Sequence, residues 1–413
     1  MIQEFRVTNF LSFKDETVLS FEAVGSGRRK QKKDSKDPLV YKVNDKTELL
    51  RLAVFYGANA SGKSNMLRAI AFLASFCKKK ESVANAPTGA IPFMLNGTAR
   101  NLPSRFSLRF FVDGIRYWYT LELDATQVHS ESLYVYRSSQ PTAVFKRTKN
   151  RLEFNPAENS ISATAKELLE LNCLSNLSFF ACKAKVNINL QHIDKVSKYF
   201  DENFLETQFE FEDLYRAAEV FISHSDSARQ HLLRFLKEAD FNISSVSSKK
   251  ENESYRTLFT HKVDVDGRTE EYQFSSKEQS LGTRRVFALE SFLYALEVTD
   301  RIALLDEIDT SLHPNLVDFM LSKFAKEPYS CSQLIVSTHY SGLLDNPDLR
   351  DDCFWITEKD KSGSSSIRSV AKTKDMRLAS KEKGYRAGKL GGIPIIEPEE
   401  DTYEEGYMPS LFE

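Results

Sequence analysis

Eight residues in the first sixth of the chain, Gly57-Ala58-Asn59-Ala60-Ser61-Gly62-Lys63-Ser64, have the types and spacing needed to hold phosphate. In a GxxxxGKS pattern the glycines let backbone N–H groups close around phosphate oxygens, where a Cβ would obstruct either the turn or the ligand. Lys63 is placed to reach the β- and γ-phosphates of a nucleoside triphosphate, and the Ser64 hydroxyl to bind Mg²⁺. Asn59, Ala60, Ser61, Gly62 and the following Asn65 complete the expected cradle. Far downstream, Leu304-Leu305-Asp306-Glu307 is an apolar run that ends in two carboxylates. Asp306 is expected in the Mg²⁺ shell, and Glu307 to orient and polarise an attacking water, because phosphoryl transfer depends on positioning and charge stabilisation. The plain alternative is a pair of acids capping the next helix. His339 ends the run Leu334-Ile335-Val336-Ser337-Thr338, 32 residues beyond Glu307. There a neutral imidazole can hydrogen-bond the γ-phosphate and the water; taken alone, such a histidine reads as structural.

These groups need elements that bring them together. Leu52 to Tyr56 is a short buried-type strand feeding the glycine loop, and Met66, Leu67, Ile70, Leu73, Ala74 and Cys77 recur at helical spacing just after it. The strands 302–305, 334–337 and 354–357, with a helix after Pro314, continue a βαβ series and predict a mostly parallel core. Residues 2–22 alternate as two strands with a turn near Lys14 and Asp15, while 24–50 read as a long exposed excursion. From Phe106 to Phe154 the aromatic and β-branched alternation is dense, with Asp113-Gly114 as a hairpin signal, and predicts an antiparallel sheet. Residues 164–238 switch to helical spacing, the β pattern resumes over 254–274, and a helix is expected from about Thr283 to Leu296. The fold class that follows is α/β, a P-loop NTPase with a mixed β-sheet core, an antiparallel β subdomain and an inserted helical arm. Its expected parts are 1–160, 161–250, 251–360, and a charged extension over 361–413.

The chain has 413 residues, 28% of them charged, a net charge of −2 and a sequence pI near 6.4. No global charge draws it to nucleic acid or to an acidic membrane, so any such contact is local. Basic stretches at 28–33, 78–80, 146–151 and 368–389 are the candidates, and the bland account of each is a solvated loop. Five cysteines form no CxxC pair, which fits reduced thiols. The first residues carry no signal-peptide pattern and no long apolar run occurs, so the cytoplasm is the expected location, with no membrane contact.

Taken together, the phosphate loop, Asp306-Glu307, the segment Asp309-Thr310-Ser311-Leu312-His313-Pro314 and His339 stand in the order of ABC ATPases, and the chain resembles their SMC/RecF/OLD branch. Gln279-Ser280-Leu281-Gly282-Thr283 occupies the place of the signature motif, although alone it also reads as a helix N-cap at Ser280 or Thr283. The resemblance implies ATP and Mg²⁺ as ligands and a head-to-tail dimer, in which Ser280, Gly282 and Asp309 act on the partner copy's nucleotide. FYGANASGKSN, QSLGTRR, LLDEIDTSLHP, QLIVSTHYSGLLD and GYRAGKLGGIP are together similar to the prokaryotic RloA/AbiL-type ATPases of abortive phage defence. That likeness implies a phage-derived trigger and a separate Toprim-like or RloB-type effector, since the 55 residues after Glu358 are too few for a Toprim nuclease. Leu281 and Leu390-Gly391 depart from the family pattern, and Gln127 and Gln140 are the candidates for a Q-loop glutamine. A RecF/SMC-like DNA-binding ATPase is the alternative. A GTPase switch is disfavoured, because no NKxD-like element follows the phosphate loop.

Overall fold

A computed structural model describes residues 1–24, 37–80, 83, 85–159, 161–205, 211–251, 254–327, 330–373 and 379–394. The chain begins with β1 (Ile2–Thr8), β2 (Thr17–Ser20), the hairpin β3 (Val40–Asn44) and β4 (Thr47–Leu50), and β5 (Leu52–Tyr56). Residues 40–50 are mostly exposed, as expected from their polarity, but they form a strand pair whose end turns inward. Leu49 and Leu50 are buried, and Leu49 bridges to Glu22, which extends the hairpin from the β1–β2 layer. The basic run Arg28 to Lys33 lies outside the described residues.

After α1 (Lys63–Lys78) come β6 (Ser104–Val112), β7 (Ile115–Leu123), β8 (Val128–Tyr136), β9 (Pro141–Thr148) and β10 (Arg151–Phe154). With β1 and β2 they form a seven-stranded antiparallel sheet in the order β10-β9-β8-β7-β6-β1-β2. The β6–β7 turn is Asp113-Gly114 at φ 48° and 75°, the left-handed pair that a two-residue hairpin loop requires. Alternation decides which face is covered: Phe106, Leu108, Phe110, Tyr117, Tyr119 and Leu121 point inward and are buried. Helix α1 packs on this face through Phe72, whose ring lies 4.9 Å from Phe10 and 5.3 Å from Phe106.

Helices α2 (Ala163–Leu171), α3 (Phe179–Ala184), α4 (Gln191–Asn203), α5 (Phe211–His224) and α6 (Asp226–Glu238) follow. The first three cover the antiparallel sheet, with Phe110 on Tyr199 at 4.8 Å and Phe145 on Phe179 at 4.5 Å. Helices α5 and α6 pack instead beside the three-stranded sheet of β11 (Ser245–Glu251), β12 (Ser254–Val265) and β13 (Arg268–Ser275) and on α7 (Leu281–Thr299). Tyr215 meets Phe287 at 5.1 Å, and Phe259 meets the same ring at 5.5 Å. The chain then runs through β14 (Ile302–Leu305), α8 (Pro314–Lys326), β15 (Gln333–Ser337), β16 (Phe354–Lys359), β17 (Ser365–Ser369) and α9 (Lys381–Arg386). The core sheet has the order β14-β15-β5-β16-β17, parallel except for β17. Among the described residues no helix is long and apolar enough to cross a membrane.

One buried ion pair fastens the helices to the antiparallel sheet. Arg147 and Glu131 meet at 3.1 Å with both side chains fully buried. Glu131 also accepts from Tyr119 Oη at 2.8 Å and from the Phe179 amide, and Arg147 donates to the carbonyls of Leu174 and Leu177. Arg147→Met strands the Glu131 carboxylate and is expected to lower the unfolding free energy by about 3–5 kcal/mol. The double variant Glu131→Gln/Arg147→Met recovers much of that loss, as urea unfolding of the two proteins would show.

Candidate functional site

Strand β5 is buried along its whole length and delivers the phosphate loop to the C-terminal edge of the core sheet. Both loop glycines are required by space. A Cβ on Gly57 would sit 2.5 Å from the Thr357 carbonyl oxygen. One on Gly62, at φ 116°, would overlap Ser365 and press on Ser12. Ser12 and Ser365 brace the loop from outside: Ser365 Oγ donates to the Ser61 carbonyl at 2.6 Å and lies 2.8 Å from Ser12 Oγ. Asn65 Nδ2 donates to Ser12 at 2.8 Å, so its side chain holds this brace. Asn59 and Ala60 are exposed at the loop tip, and Ser64 stands half-exposed in the first turn of α1. The Lys63 ammonium bridges the loop, donating to Gly57 O at 2.9 Å and Ala58 O at 3.2 Å. Burial lowers its pKa, while Asp306, Glu307 and Asp309 work in the opposite direction, which places three carboxylates within its field. The buried Ser61 hydroxyl has no protein partner. A glycine-lined cradle, a buried cation and an orphaned hydroxyl together fit a phosphate chain.

The carboxylates stand at the same edge. Parallel register pairs Leu305 with Val336 and Val336 with Val54, so residues just after β14, β15 and β5 emerge side by side. Ser337, at the end of β15, fixes both acids: its hydroxyl donates to Asp306 Oδ1 and accepts from the Glu307 amide at 2.8 Å. Glu307 has φ 49°, and Thr310 Oγ1 donates to its Oε2 at 3.3 Å. The His339 amide donates to the Asp309 carboxylate at 3.2 and 3.3 Å, tying the two loops together within one chain. Asp306, Glu307 and His339 are exposed, open to a ligand lying over the loop. Among the described residues no cluster of three metal-ligating side chains occurs. A Mg²⁺ here would take ligands from Ser64 and Asp306 and leave the rest to phosphate oxygens and water.

The segment around Ser280 is placed differently. Ser280 is the N-cap of α7, accepting from the Thr283 amide at 3.1 Å, and Leu281 is 54% exposed beside it. An added Cβ on Gly282 would come 3.5 Å from the Ser311 carbonyl, an ordinary contact. Neither Ser280 nor Gly282 shares a hydrogen bond with the phosphate loop of its own chain among the described residues. Arg285, one turn on, reaches the Glu307 carbonyl at 3.4 Å. Burial lowers the Arg285 pKa, and Asp309 and Glu307 oppose that. Gln127 and Gln140 lie in hairpin turns of the antiparallel sheet, Gln127 with its amide on Asp124 at 2.9 Å.

Residues 52–345 match the family model described as "AAA domain, putative AbiEii toxin, Type IV TA system". The chain belongs to this family. The matched region of the AAA domain runs from β5 to the turn after His339, and so holds the glycine loop, Asp306, Glu307 and α7. The fold is similar to an SMC head domain from Thermotoga maritima, with a TM-score of 0.44 at 16% identity, covering 89% of this chain and 98% of that one. It is also similar to an SMC head bound to the C-winged helix domain of ScpA, with a TM-score of 0.43 at 15% identity, covering 91% and 99%. No curated protein sequence matches. In this AAA domain, Ser337 was within reach of sequence reasoning, since it stands two residues before His339. Ser12, Ser365 and Arg285 had no such signal. Ser337→Ala removes the hydroxyl shared by Asp306 and the Glu307 amide. The expected result is an unchanged fold by circular dichroism, with Mg²⁺-dependent nucleotide affinity down about tenfold by calorimetric titration.

Proposed function

We propose that this protein is an ATPase that converts ATP and water to ADP and phosphate, acting as a head-to-tail homodimer. The observation that carries this reading is the parallel register that brings the loop holding Lys63 and the segment holding Asp306, Glu307 and Asp309 to one sheet edge. Backbone amides of Gly57 to Gly62 and the Lys63 ammonium hold the β- and γ-phosphates, with Asn59, Ala60, Ser61 and Asn65 completing or bracing the loop. Ser64 and Asp306 would hold Mg²⁺, which when bound neutralises charge between the β- and γ-phosphates. Glu307, held by Ser337 and Thr310, orients and polarises the water, and His339 hydrogen-bonds the γ-phosphate and that water. Ser280 and Gly282, exposed or half-exposed at the start of α7, complete the site of the second copy. Asp309 serves both copies: it fixes the His339 amide in its own chain and faces the partner's nucleotide.

The wider role is that of a cytoplasmic sensor and scaffold in antiviral defence, of the RloA/AbiL type, controlling a separate effector protein after a phage-derived trigger. Two observations support it: the motif set from FYGANASGKSN to GYRAGKLGGIP, and membership of a family whose description names an AbiEii toxin and a type IV toxin–antitoxin system. The alternative, a RecF/SMC-like DNA-binding ATPase, draws on the basic stretches, and among the described residues several of their side chains have internal partners. Arg147 is buried on Glu131, Lys80 pairs with Asp201 at 2.7 Å, Lys381 with Asp351 at 2.8 Å, and Arg386 with Glu382 at 3.7 Å. ATP-dependent, salt-sensitive DNA binding would reverse the preference.

Lys63→Ala is expected to abolish ATP binding. Glu307→Gln is expected to keep ATP binding, slow hydrolysis by about 10² or more, and accumulate as a dimer in light scattering with ATP. Hydrolysis at the wild-type rate by Glu307→Gln would show that another group activates the water.

A further inference from the structure

The C-terminal segment 379–394 lies outside the family match and outside every role assigned above, yet it is seated on the back of the phosphate loop. Gly392 faces Gly57: a Cβ on Gly392, at φ 68°, would come 3.5 Å from the Gly57 Cα and 2.5 Å from Ile356 Cγ2. Tyr385 packs on Tyr56, the residue before Gly57, with ring centroids 5.7 Å apart. Its hydroxyl donates to the Gly392 carbonyl at 3.1 Å. Burial raises the Tyr385 phenol pKa, with the Gly57 backbone opposing the rise. The segment is anchored at both ends. The Gly392 amide donates to Glu358 Oε1 at 3.0 Å, and Arg368 donates to the Leu390 carbonyl at 2.8 Å. Upstream, the Lys381 amide donates to Asp345 Oδ1 at 2.7 Å, in the turn that begins two residues after His339. Leu390 is buried, which locks the strap between these anchors.

We propose that residues 379–394 are a working part of the nucleotide site: Tyr385 and Gly392 position the first glycine of the phosphate loop, so that ATP affinity depends on the seating of this strap. The inference rests on the reading of the loop as an ATP site. A phosphate loop binds through amides whose directions are set by backbone dihedrals, and Gly57 is the hinge residue at which β5 becomes that loop. Thr357 and Ser61 crowd Gly57, and the strap adds Gly392 against it and Tyr385 against the preceding Tyr56. Because coupling between sites is reciprocal, ATP must in turn hold the strap in place.

The test uses the full chain, titrated with Mg²⁺·ATP by calorimetry and followed by hydrogen exchange. Tyr385→Phe keeps the ring and removes the hydroxyl; it is expected to weaken ATP binding about fivefold with the nucleotide-free melting temperature nearly unchanged. Gly392→Ala is expected to weaken binding by more than about tenfold, because the methyl forces the strap away from Gly57. ATP is expected to slow amide exchange over 379–394 in the wild-type protein, and to leave it unchanged in Lys63→Ala. A merely structural strap would show no ATP-dependent exchange. Both variants binding ATP within twofold of wild type, or exchange over 379–394 indifferent to ATP in a wild-type protein that binds it, would overturn the inference. A wild-type chain that fails to bind ATP would overturn the nucleotide reading itself, and the strap's role with it. Should Gly392→Ala fail to fold, Tyr385→Phe and the exchange experiment decide the matter.

Discussion

The position of β5 in the core sheet is the constraint on which the rest of this structure depends. It is hydrogen-bonded to β15 on one side and β16 on the other, and it is buried from end to end. A strand held on both edges cannot slide freely, since a slip of one residue would break its ladders and exchange the faces to which Val54 and Phe55 point. Fixed in this way, β5 sets where Gly57 leaves the sheet. The register of β15 against it then carries Ser337, and through Ser337 the pair Asp306 and Glu307, to the same edge. The chemistry is assembled by backbone pairing, and side chains make the final adjustments.

Those adjustments come from hydroxyl groups more than from charges. Ser12, Ser337, Ser365 and Thr310 hold the loop and the acids in place through hydrogen bonds. Small hydroxyls suit this task because they bridge an amide to a carboxylate, or one loop to another, without introducing a buried charge that would compete with the ligand. Where a buried charge pair does occur, in Arg147 and Glu131, it serves to join layers and lies in the antiparallel sheet.

Much of this was legible in the amino-acid sequence. The phosphate loop is local in the chain, and so is the apolar run ending in Asp306 and Glu307; periodicity placed the strands and helices around them. The N-cap at Ser280 and the Asp113-Gly114 hairpin were legible for the same reason, because each is determined by two or three neighbouring residues. The hairpin at 40–50 was not. Lys42, Asn44, Asp45 and Lys46 give it the composition of a loop, and it is a strand pair because Leu49 and Leu50 find a covered surface made by distant residues. The Ser12–Ser365 brace was invisible for a stronger reason. Its two halves are 353 positions apart, and serine has no pattern that announces a partner. The partners of Arg147, Lys80 and Lys381 within the basic stretches were not legible either, since they become apparent only when the chain is folded.

The distance between the phosphate loop and its supports also bears on how the protein is made. Residues 57–64 leave the ribosome before β15, β16, Ser365 and Gly392, which are all synthesised after residue 332. Until then β5 has neither of its neighbours and Gly57 has neither of its walls. Contacts of such long sequence separation form late, because their loop-closure entropy must be met first. A nascent chain therefore carries the glycine-loop motif, until β15 and β16 follow, without the enclosure that gives the motif its shape. The enclosure of the loop is therefore among the last parts of the fold to form, and a product of premature termination before β16 lacks the Thr357 wall against Gly57.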